Sequence, residues 1–294
     1  MKSQKKYHKT FSCEFFPPKT EQGEAGLLAA LDELARLGPK YFSCTYGAGG
    51  STQEGTYATV KTITEKGLVA APHITCIGST REKIRGLLRE YMALGVNRIV
   101  ALRGDLPQGQ ENAGEFRYAN ELVAFIRQET GDHFHIEVAA YPEMHPQAPN
   151  MAADIANFKR KVNAGANAAI TQYFYNADAY YRFIDDCEAL GLDIAIVPGI
   201  MPITNYKQLA RFSEGCGAEI PRWITRRLQG FGDDLASIRA FGLDVTTDLC
   251  GRLLAADAPG LHFYTLNRAE ATTKIWQKLG LDARHPQAGA ANSQ

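Results

Sequence analysis

The chain has no surplus of either charge, no apolar run long enough to cross a bilayer and no cysteine pattern typical of a zinc site. Its 32 lysine and arginine residues balance its 32 aspartate and glutamate residues, so the formal net charge is zero. Broad binding to nucleic acid or to a membrane surface needs a basic excess, and a bilayer span needs about 20 consecutive apolar residues. The composition therefore argues against nucleic-acid and membrane partners, and it leaves room for a small local anion site.

The cysteines are few and lie far apart. They occupy positions 13, 44, 76, 187, 216 and 250, and no two of them form a CxxC pair. No histidines accompany them at zinc spacing. Three of them lie in apolar, strand-like runs, where buried reduced thiols are expected, and these are typical of a reducing compartment. The basic N-terminus has no apolar run after it and so does not resemble a secretory signal. We therefore expect a cytoplasmic protein.

Short apolar runs alternate with longer amphipathic stretches along the chain. The apolar runs predict strands over residues 11–16, 41–46, 71–76, 98–103, 135–141, 168–174, 194–200 and 261–266. Apolar residues at helical spacing predict helices over 24–37, 81–94, 118–129, 152–163, 177–190, 205–212 and 268–279. Glycines at 38, 95, 165 and 191 end four of these helices just before the next strand, since glycine adopts the left-handed conformation at little cost.

This order of strand, helix and glycine predicts parallel strands in βαβ units. Eight such units close more readily into a barrel than into an open sheet. We therefore expect one α/β domain over residues 1–294, a (β/α)8 TIM barrel, with flexible tails at residues 1–10 and 283–294. The unit between the seventh and eighth strands is longer than the others and adds predicted helices at 221–228 and 233–254.

In a barrel of this kind, functional side chains collect at the carboxyl ends of the strands and in the loops that follow. Glu14 lies near the end of the first strand, among aromatic and apolar residues. A carboxylate there is costly unless it is hydrogen-bonded, paired or protonated, and burial should raise its pKa, which suits a general acid. Strand alternation could equally turn Glu14 outward to the helices or place it beside an arginine.

Other polar residues at the strand ends have ordinary alternatives to a functional role. Asp105 follows a glycine, where a solvated loop-capping aspartate is common. His73 can be a core histidine whose hydrogen bonds are satisfied, and His145 a plain loop residue. Gln172 lies in an otherwise apolar strand and needs partners, which a ligand in the barrel mouth would supply.

Sequence motifs for phosphate or metal binding are missing from the chain. The GAGG run at 47–50 fits neither GxGxxG nor GxxxxGK[ST]. The charges on residues 154–161 are typical of a solvated helix face with internal ion pairs. No HxH, HExxH or paired-carboxylate spacing is present, so a metal site is the weaker hypothesis. Single positions thus indicate a polar cleft without defining a reaction.

Taken together, however, the strand-end motifs closely resemble those of bacterial methylenetetrahydrofolate reductases. The matching segments are CEFFPPK, TYGAGGS, PHITC, ALRGDLP, AAYPEMHP, DIANFKRKVNAGANAAITQYF, PGIMPI and HFYTLNR. They occur in this order over residues 11–279, nearly the whole chain. The resemblance implies an FAD-containing TIM barrel that reduces 5,10-methylenetetrahydrofolate to 5-methyltetrahydrofolate with NADH or NADPH. The product would supply methyl groups for methionine synthesis.

The resemblance also implies roles for individual residues. Glu14 corresponds to the general acid that protonates the bridging nitrogen of the folate, and Asp105 to a carboxylate near the flavin and the pterin that tunes the flavin potential. Thr45 corresponds to a nicotinamide contact. The positions implied to bind FAD are Tyr46, Ala48, His73, Arg103, Gly104, Asp105, Tyr118, Ala119, Tyr141, His145, Asp154, Asn157, Arg160 and Lys161. Those implied on the substrate side are Gln172, Gln208, Phe212, Tyr264 and Arg268, and Gln172 would contact the nicotinamide in turn.

The implied mechanism is ping-pong, in which the reduced nicotinamide passes hydride to FAD and leaves before the folate enters the same face. Relatives are commonly homo-oligomers, and we expect the same here. The chain departs from the family at Tyr173, where a phenylalanine is expected. Two alternatives stay open. One is another flavin-dependent barrel of the proline dehydrogenase type, and the other is a metal-dependent hydrolase that uses His73, Asp105 and His145.

Overall fold

The computed structural model describes residues 1–46, 53–104 and 114–281 of the 294-residue chain. Its strands are β1 (Thr10–Phe15), β2 (Tyr41–Cys44), β3 (Ala70–Thr75), β4 (Arg98–Leu102), β5 (His135–Ala140), β6 (Ala168–Thr171), β7 (Ala195–Val197), β8 (Gly199–Ile200) and β9 (Gly260–Tyr264). Its α-helices are α1 (Glu21–Ala35), α2 (Gln53–Glu65), α3 (Arg81–Ala93), α4 (Ala119–Thr130), α5 (Met151–Asn163), α6 (Ala177–Ala189), α7 (Tyr206–Cys216), α8 (Arg222–Phe231), α9 (Leu235–Ala255) and α10 (Glu270–Lys278).

All paired strands run parallel, in the order β7-β6-β5-β4-β3-β2-β1-β9-β8. Only Pro198 separates β7 from β8 along the chain. The two ends of the sheet are therefore pieces of one bent strand, and the sheet closes into a barrel surrounded by helices. The predicted TIM barrel is confirmed. The longer unit before the last strand carries three helices, α7, α8 and α9.

The bend in the seventh predicted strand follows from the chemistry of two residues. Pro198 has no N–H to donate, but its carbonyl accepts a hydrogen bond of 2.9 Å from the His262 N–H of β9. The Gly199 N–H donates to Thr171 Oγ1 over 2.9 Å. A Cβ atom at position 199 would lie 2.1 Å from the Thr171 carbonyl oxygen. A glycine is therefore required where the strand leaves β6 and joins β9.

The main hydrophobic core lies between the barrel and its helices. Cys13 and Phe15 of β1 belong to this core. Because neighbouring side chains on a strand point to opposite faces, Ser12 and Glu14 point into the barrel. A smaller apolar cluster inside the barrel joins four strands and consists of Tyr41, Ala71, Val100 and Ile170. The barrel interior thus combines an apolar layer with polar side chains.

Several helices begin at a side chain that accepts a hydrogen bond from the first turn, as expected of an N-cap residue. These residues are Thr20, Thr80, Asn150, Asn176, Asn205 and Asp234. In the described part of the chain, no helix is both long enough and apolar enough to cross a membrane.

The N-terminal segment, expected to be a flexible tail, contacts the amino end of the seventh strand. Gln4 is 1% exposed, and its side chain accepts a hydrogen bond of 2.9 Å from the Ile196 N–H and donates one of 3.2 Å to the Ile194 carbonyl. The Tyr7 hydroxyl donates to Asp193 over 2.5 Å. The segment therefore covers the start of β7. The C-terminal tail predicted at 283–294 lies outside the described residues.

Candidate functional site

The carboxyl ends of the parallel strands meet at one end of the barrel, and most of the predicted site residues lie there. Glu14 and Tyr264 are near the ends of β1 and β9, and Thr45, Arg103 and Gln172 follow the ends of β2, β4 and β6. Ala48 and Asp105 lie outside the described residues.

Glu14 is the carboxylate at the centre of this end. Its Oε2 atom lies 3.3 Å from His73 Nε2 of β3 and 3.4 Å from His262 Nε2 of β9. The side chain points into the barrel rather than outward to the helices and is 16% exposed. Burial by itself raises the pKa of the Glu14 carboxyl, but the two imidazoles together outweigh it and lower the pKa to about 2. The carboxylate is therefore ionised, with two imidazole rings beside it.

The second ring nitrogen of His262 has a partner deeper in the barrel. His262 Nδ1 lies 2.7 Å from the Ser12 hydroxyl oxygen. Both residues are fully buried, and Ser12 and His262 are opposite each other in the parallel register of β1 and β9. Ser12, His262 and Glu14 thus form a line of polar groups that fixes the orientation of the imidazole. Such a line can hold a proton next to the carboxylate.

Neither His262 nor Ser12 was among the residues predicted from the sequence. A signal for both was present. His262 lies two residues before Tyr264 on the same strand, and Ser12 lies two residues before Glu14. Residues two apart on a strand share a face, so both pairs had to point into the barrel together.

The end of β2 offers an unpartnered hydroxyl. Thr45 is 8% exposed, its N–H donates to the Phe15 carbonyl over 2.9 Å, and its carbonyl accepts from Thr56 Oγ1 over 2.9 Å. Its own Oγ1 is buried and has no hydrogen-bond partner among the described residues. A buried hydroxyl usually has such a partner, so this one is suited to a ligand. Tyr46 follows it and is partly exposed.

The end of β4 packs tightly against the last residue of β3 and the loop that follows it. Gly104 has a φ angle of 84°, and a Cβ atom there would lie 2.9 Å from Thr75 Cβ. A glycine is therefore needed at this position. The Arg103 side chain donates to Gln147 Oε1 over 2.6 Å and to the Gly104 carbonyl over 3.2 Å. Its guanidinium group thus lies between the loops that follow β4 and β5.

The loop after β5 is held by α5. The rings of Tyr141 and His145 are 4.6 Å apart between centroids, in an edge-to-face arrangement with an interplanar angle of 71°. The His145 N–H donates to Asp154 Oδ2 over 2.8 Å, and His145 Nδ1 accepts from the Gln147 N–H over 3.0 Å. Asp154 therefore orders the loop, which is a use for its charge other than an ion pair on its own helix.

Two of the three cations of α5, Arg160 and Lys161, are not used in ion pairs within the described part of the chain. The Arg160 guanidinium donates to Asn157 Oδ1, and the Lys161 ammonium donates to the Ala139 carbonyl. Burial lowers the pKa of Lys161 to about 8. The structure thus differs from the simple alternative of a solvated face with internal salt bridges. The charges of Arg160 and Lys161 are therefore not neutralised by an ion pair in the described part of the chain.

The remaining predicted residues surround the ends of β6 and β9. Gln172 Oε1 accepts from the Tyr173 N–H over 3.0 Å. The Tyr264 hydroxyl donates to the Thr171 carbonyl over 2.7 Å, and its ring lies 6.3 Å from that of Tyr173. Arg268 is exposed just after β9.

Four further predicted residues lie on helices, or at the start of one, at this end. Tyr118 is the N-cap residue of α4 and is 58% exposed, and Ala119 is the first residue of that helix. Gln208 and Phe212 lie on α7 and are partly exposed. An exposed tyrosine ring beside a helix start offers a surface on which a planar ligand can stack.

A metal site receives no support from the described residues. Within residues 1–46, 53–104 and 114–281, no group of three histidine, cysteine, aspartate or glutamate side chains is placed to hold a metal ion. The alternative set of His73, Asp105 and His145 includes a residue outside that part of the chain.

Comparison with known protein sequences identifies similar chains. Residues 1–280 match the family model described as methylenetetrahydrofolate reductase. The 5,10-methylenetetrahydrofolate reductase of Pectobacterium carotovorum subsp. carotovorum is 44% identical over 271 residues, which cover 92% of this chain and 90% of the relative. That of Escherichia coli K12 is 43% identical with the same coverage. Methylenetetrahydrofolate reductase (NADH) 1 of Arabidopsis thaliana is 39% identical over 92% of this chain and 48% of its own length.

A solved structure has a similar fold. It is described as an uncharacterized protein from Clostridium thermocellum that binds two copies of 5-methyl-5,6,7,8-tetrahydrofolic acid. It aligns with a TM-score of 0.70 and 16% sequence identity, over 97% of this chain and 98% of its own. At this identity the likeness concerns the fold alone.

Proposed function

The chain belongs to the methylenetetrahydrofolate reductase family, and from this premise we propose that it reduces 5,10-methylenetetrahydrofolate to 5-methyltetrahydrofolate with FAD as cofactor and NADH or NADPH as reductant. One observation carries the proposal. The Glu14 carboxylate lies in the barrel mouth between the imidazoles of His73 and His262. Reduction of this folate needs a proton at its bridging nitrogen so that the five-membered ring opens, and the site places two imidazoles, which can carry a proton, beside a carboxylate.

The described residues fit an FAD molecule that lies along the strand ends. Arg160 and Lys161 are cations without an ion pair among the described residues, and they would meet the diphosphate. Tyr118 presents an exposed ring to a planar group, and the buried Thr45 hydroxyl lacks a partner in the described part of the chain. When bound, FAD supplies a carrier that takes hydride from the nicotinamide and gives it to the folate methylene carbon, in ping-pong order.

The protein's own groups would handle the proton. Because Glu14 is ionised at rest, the proton reaches the folate nitrogen through Glu14 from an adjacent imidazole. Ser12 fixes the ring of His262, so that its Nε2 atom faces the carboxylate. Gln172 offers an amide that can both donate and accept, which suits a site shared by nicotinamide and folate in turn. Phe212 would form an aromatic wall on the same side.

The wider roles of the enzyme rest on the family alone. We propose that its product supplies methyl groups for methionine synthesis, that the enzyme is cytoplasmic and that it is a homo-oligomer. We further propose that Asp105 and Ala48 contact the flavin.

The two half-reactions can be separated in one cuvette. Purified protein is loaded with FAD, reduced anaerobically with NADH and then mixed with methylenetetrahydrofolate, while the flavin absorbance is followed. In Glu14→Gln we expect flavin reduction by NADH to stay within about twofold and reoxidation by the folate to slow by about 10²–10⁴-fold, the usual contribution of a general acid. Glu82→Gln is the control, since the Glu82 side chain is 77% exposed.

The outcomes distinguish the alternatives. Equal loss of both half-reactions in Glu14→Gln would remove the assigned role. A flavin that bleaches with NADH but is never reoxidised by the folate would keep the flavin barrel and remove the folate. Bleaching by proline instead of NADH would favour the proline dehydrogenase type. A protein that stays colourless after FAD is added back would overturn the proposal.

A further inference from the structure

Tyr173 makes a hydrogen bond that the phenylalanine expected at its position cannot make. It follows Gln172 at the end of β6 and is 3% exposed. Its hydroxyl oxygen lies 3.0 Å from Ser213 Oγ of α7, and Ser213 is 6% exposed. Two buried hydroxyl groups therefore satisfy each other across the boundary between the barrel and a helix.

The buried residues of α7 lie on one face, and Tyr206, Phe212 and Cys216 pack partly buried against the main hydrophobic core. Leu209 and Ser213 are the buried residues, and they lie four positions apart. Leu209 packs into the main hydrophobic core. Gln208 and Phe212 are also four positions apart, on the adjoining face, and are partly exposed. A rotation of α7 about its axis would therefore turn Gln208 and Phe212 together.

The C-terminal end of α7 is held separately, by the loop after β5. Gly217 ends the helix with a φ angle of 75°, and a Cβ atom there would lie 2.8 Å from Pro146 Cγ. The Glu219 N–H donates to Glu143 Oε2 over 2.8 Å. The first turn of α7 is held by the ion pair of Lys207 with Asp233 and by Gln229, whose side-chain amide donates to the Tyr206 hydroxyl. On the face turned to the barrel, the Leu209 side chain makes no directional bond, and the bond between Ser213 and Tyr173 orients the helix.

We propose that Tyr173 is a positioning residue for the folate half-reaction. Its hydroxyl, through Ser213, sets the rotation of α7 and so the direction of Gln208 and Phe212, which form one wall of the substrate site. The inference rests on the proposed function, since those two residues are assigned to the folate there. If Gln208 and Phe212 are already oriented before the ligand enters, less conformational entropy is lost on binding. Loss of one neutral hydrogen bond, about 1 kcal/mol, corresponds to about a fivefold weaker binding constant.

Hydrogen–deuterium exchange of the FAD-loaded protein tests the bond itself. In Tyr173→Phe, the amides of residues 206–216 should exchange at least about threefold faster, because a local opening becomes easier. Tyr175→Phe is the matched control. Tyr175 is also buried, and its hydroxyl donates over 2.9 Å to the Met201 carbonyl instead of to α7. Unchanged exchange of α7 in Tyr173→Phe would overturn the proposal.

Half-reaction kinetics test whether loss of this hydrogen bond weakens folate binding. In Tyr173→Phe, the KM for methylenetetrahydrofolate should rise about fivefold with kcat and flavin reduction by NADH within about twofold, the pattern of lost binding rather than lost chemistry. Ser213→Ala should behave alike, and the double variant should be no worse than either single one, because both remove one bond. An unchanged KM despite faster exchange would also overturn the proposal. If the wild-type protein does not reduce the folate at all, the proposed function fails, while the exchange experiment still reports on the bond.

Discussion

The chemistry of Glu14 depends on side chains that its own neighbourhood in the chain does not reveal. An apolar setting alone predicts a raised pKa and a protonated acid. Two imidazoles reverse that direction and lower the pKa to about 2. The Glu14 carboxyl group is therefore expected to be ionised at rest, and the orientation of His262 becomes as important as the carboxylate itself.

Two buried serines on adjacent strands allow a measurement of how much the hydrogen bond between Ser12 and His262 contributes to stability. Ser12→Ala leaves His262 Nδ1 without its 2.7 Å partner, which should lower the free energy of unfolding by about 1–3 kcal/mol. Ser43 is equally buried, in register with Glu14, and its hydroxyl has no partner among the described residues. Ser43→Ala should therefore change stability by less than about 0.5 kcal/mol. Urea unfolding of both variants checks this, and equal losses would contradict it.

At the scale of elements, strand ends and one helix differ from the prediction for identifiable reasons. The apolar run at 168–174 continues past the sheet, because β6 ends at Thr171 while Tyr173 and Phe174 are buried in the main hydrophobic core. Helix α2 was not among the predicted helices. Its buried face consists of Thr56, Thr59, Val60 and Ile63. Two of these four residues are threonines, which a search for apolar residues at helical spacing does not count.

The junction of β7 and β8 closes the barrel, and Gly199 is its critical residue. In Gly199→Ala the new methyl group would meet the Thr171 carbonyl at 2.1 Å and the Tyr264 ring at 2.7 Å. We expect the free energy of unfolding to fall by about 3 kcal/mol, since backbone cannot yield as a flexible side chain does. Thermal and urea unfolding provide the measurement.

Gly86→Ala is the matched control for this substitution. Gly86 lies inside α3, and a Cβ atom there would meet nothing within 4 Å. Alanine should stabilise the helix by about 0.5–1 kcal/mol. A Gly199→Ala variant as stable as Gly86→Ala would show that the strand tolerates a side chain at its change of partner.

At the scale of the whole molecule, the reactivity of the six cysteines measures how well the fold shields its interior from solvent. All of them are unpaired; five are buried, and Cys216 is partly exposed. Burial raises the pKa of Cys76 and Cys187 to about 12, so their reactive thiolate forms are scarce at neutral pH.

Thiol labelling at pH 8 should therefore proceed in two stages. One thiol should react quickly in the native protein, and all six should react after denaturation. Cys216→Ala should remove the fast phase and leave the slow one unchanged. A fast phase of several thiols in the wild-type protein would mean that the helices around the barrel open far more readily than their burial indicates.

Much of this protein could be determined from its sequence alone. Alternating strands and helices with glycines between them specified a parallel barrel, because each unit must bury an apolar face on both strand and helix. The strand-end motifs indicated the family and most of the residues at the mouth. These are local patterns, and local patterns are visible in a chain.

Only the tertiary structure decided which of these residues meet. His262 lies 248 positions from Glu14 along the chain, yet its ring nitrogen is 3.4 Å from the carboxylate. The Tyr173 hydroxyl contacts Ser213, which lies 40 positions further along the chain. The seventh strand exchanges β6 for β9 as its neighbour at Pro198. Composition and periodicity specify the face on which a side chain lies, whereas its partners depend on how the sheet closes. The pKa of Glu14 is lowered because closure of the barrel brings two imidazoles, including that of His262, beside the carboxylate.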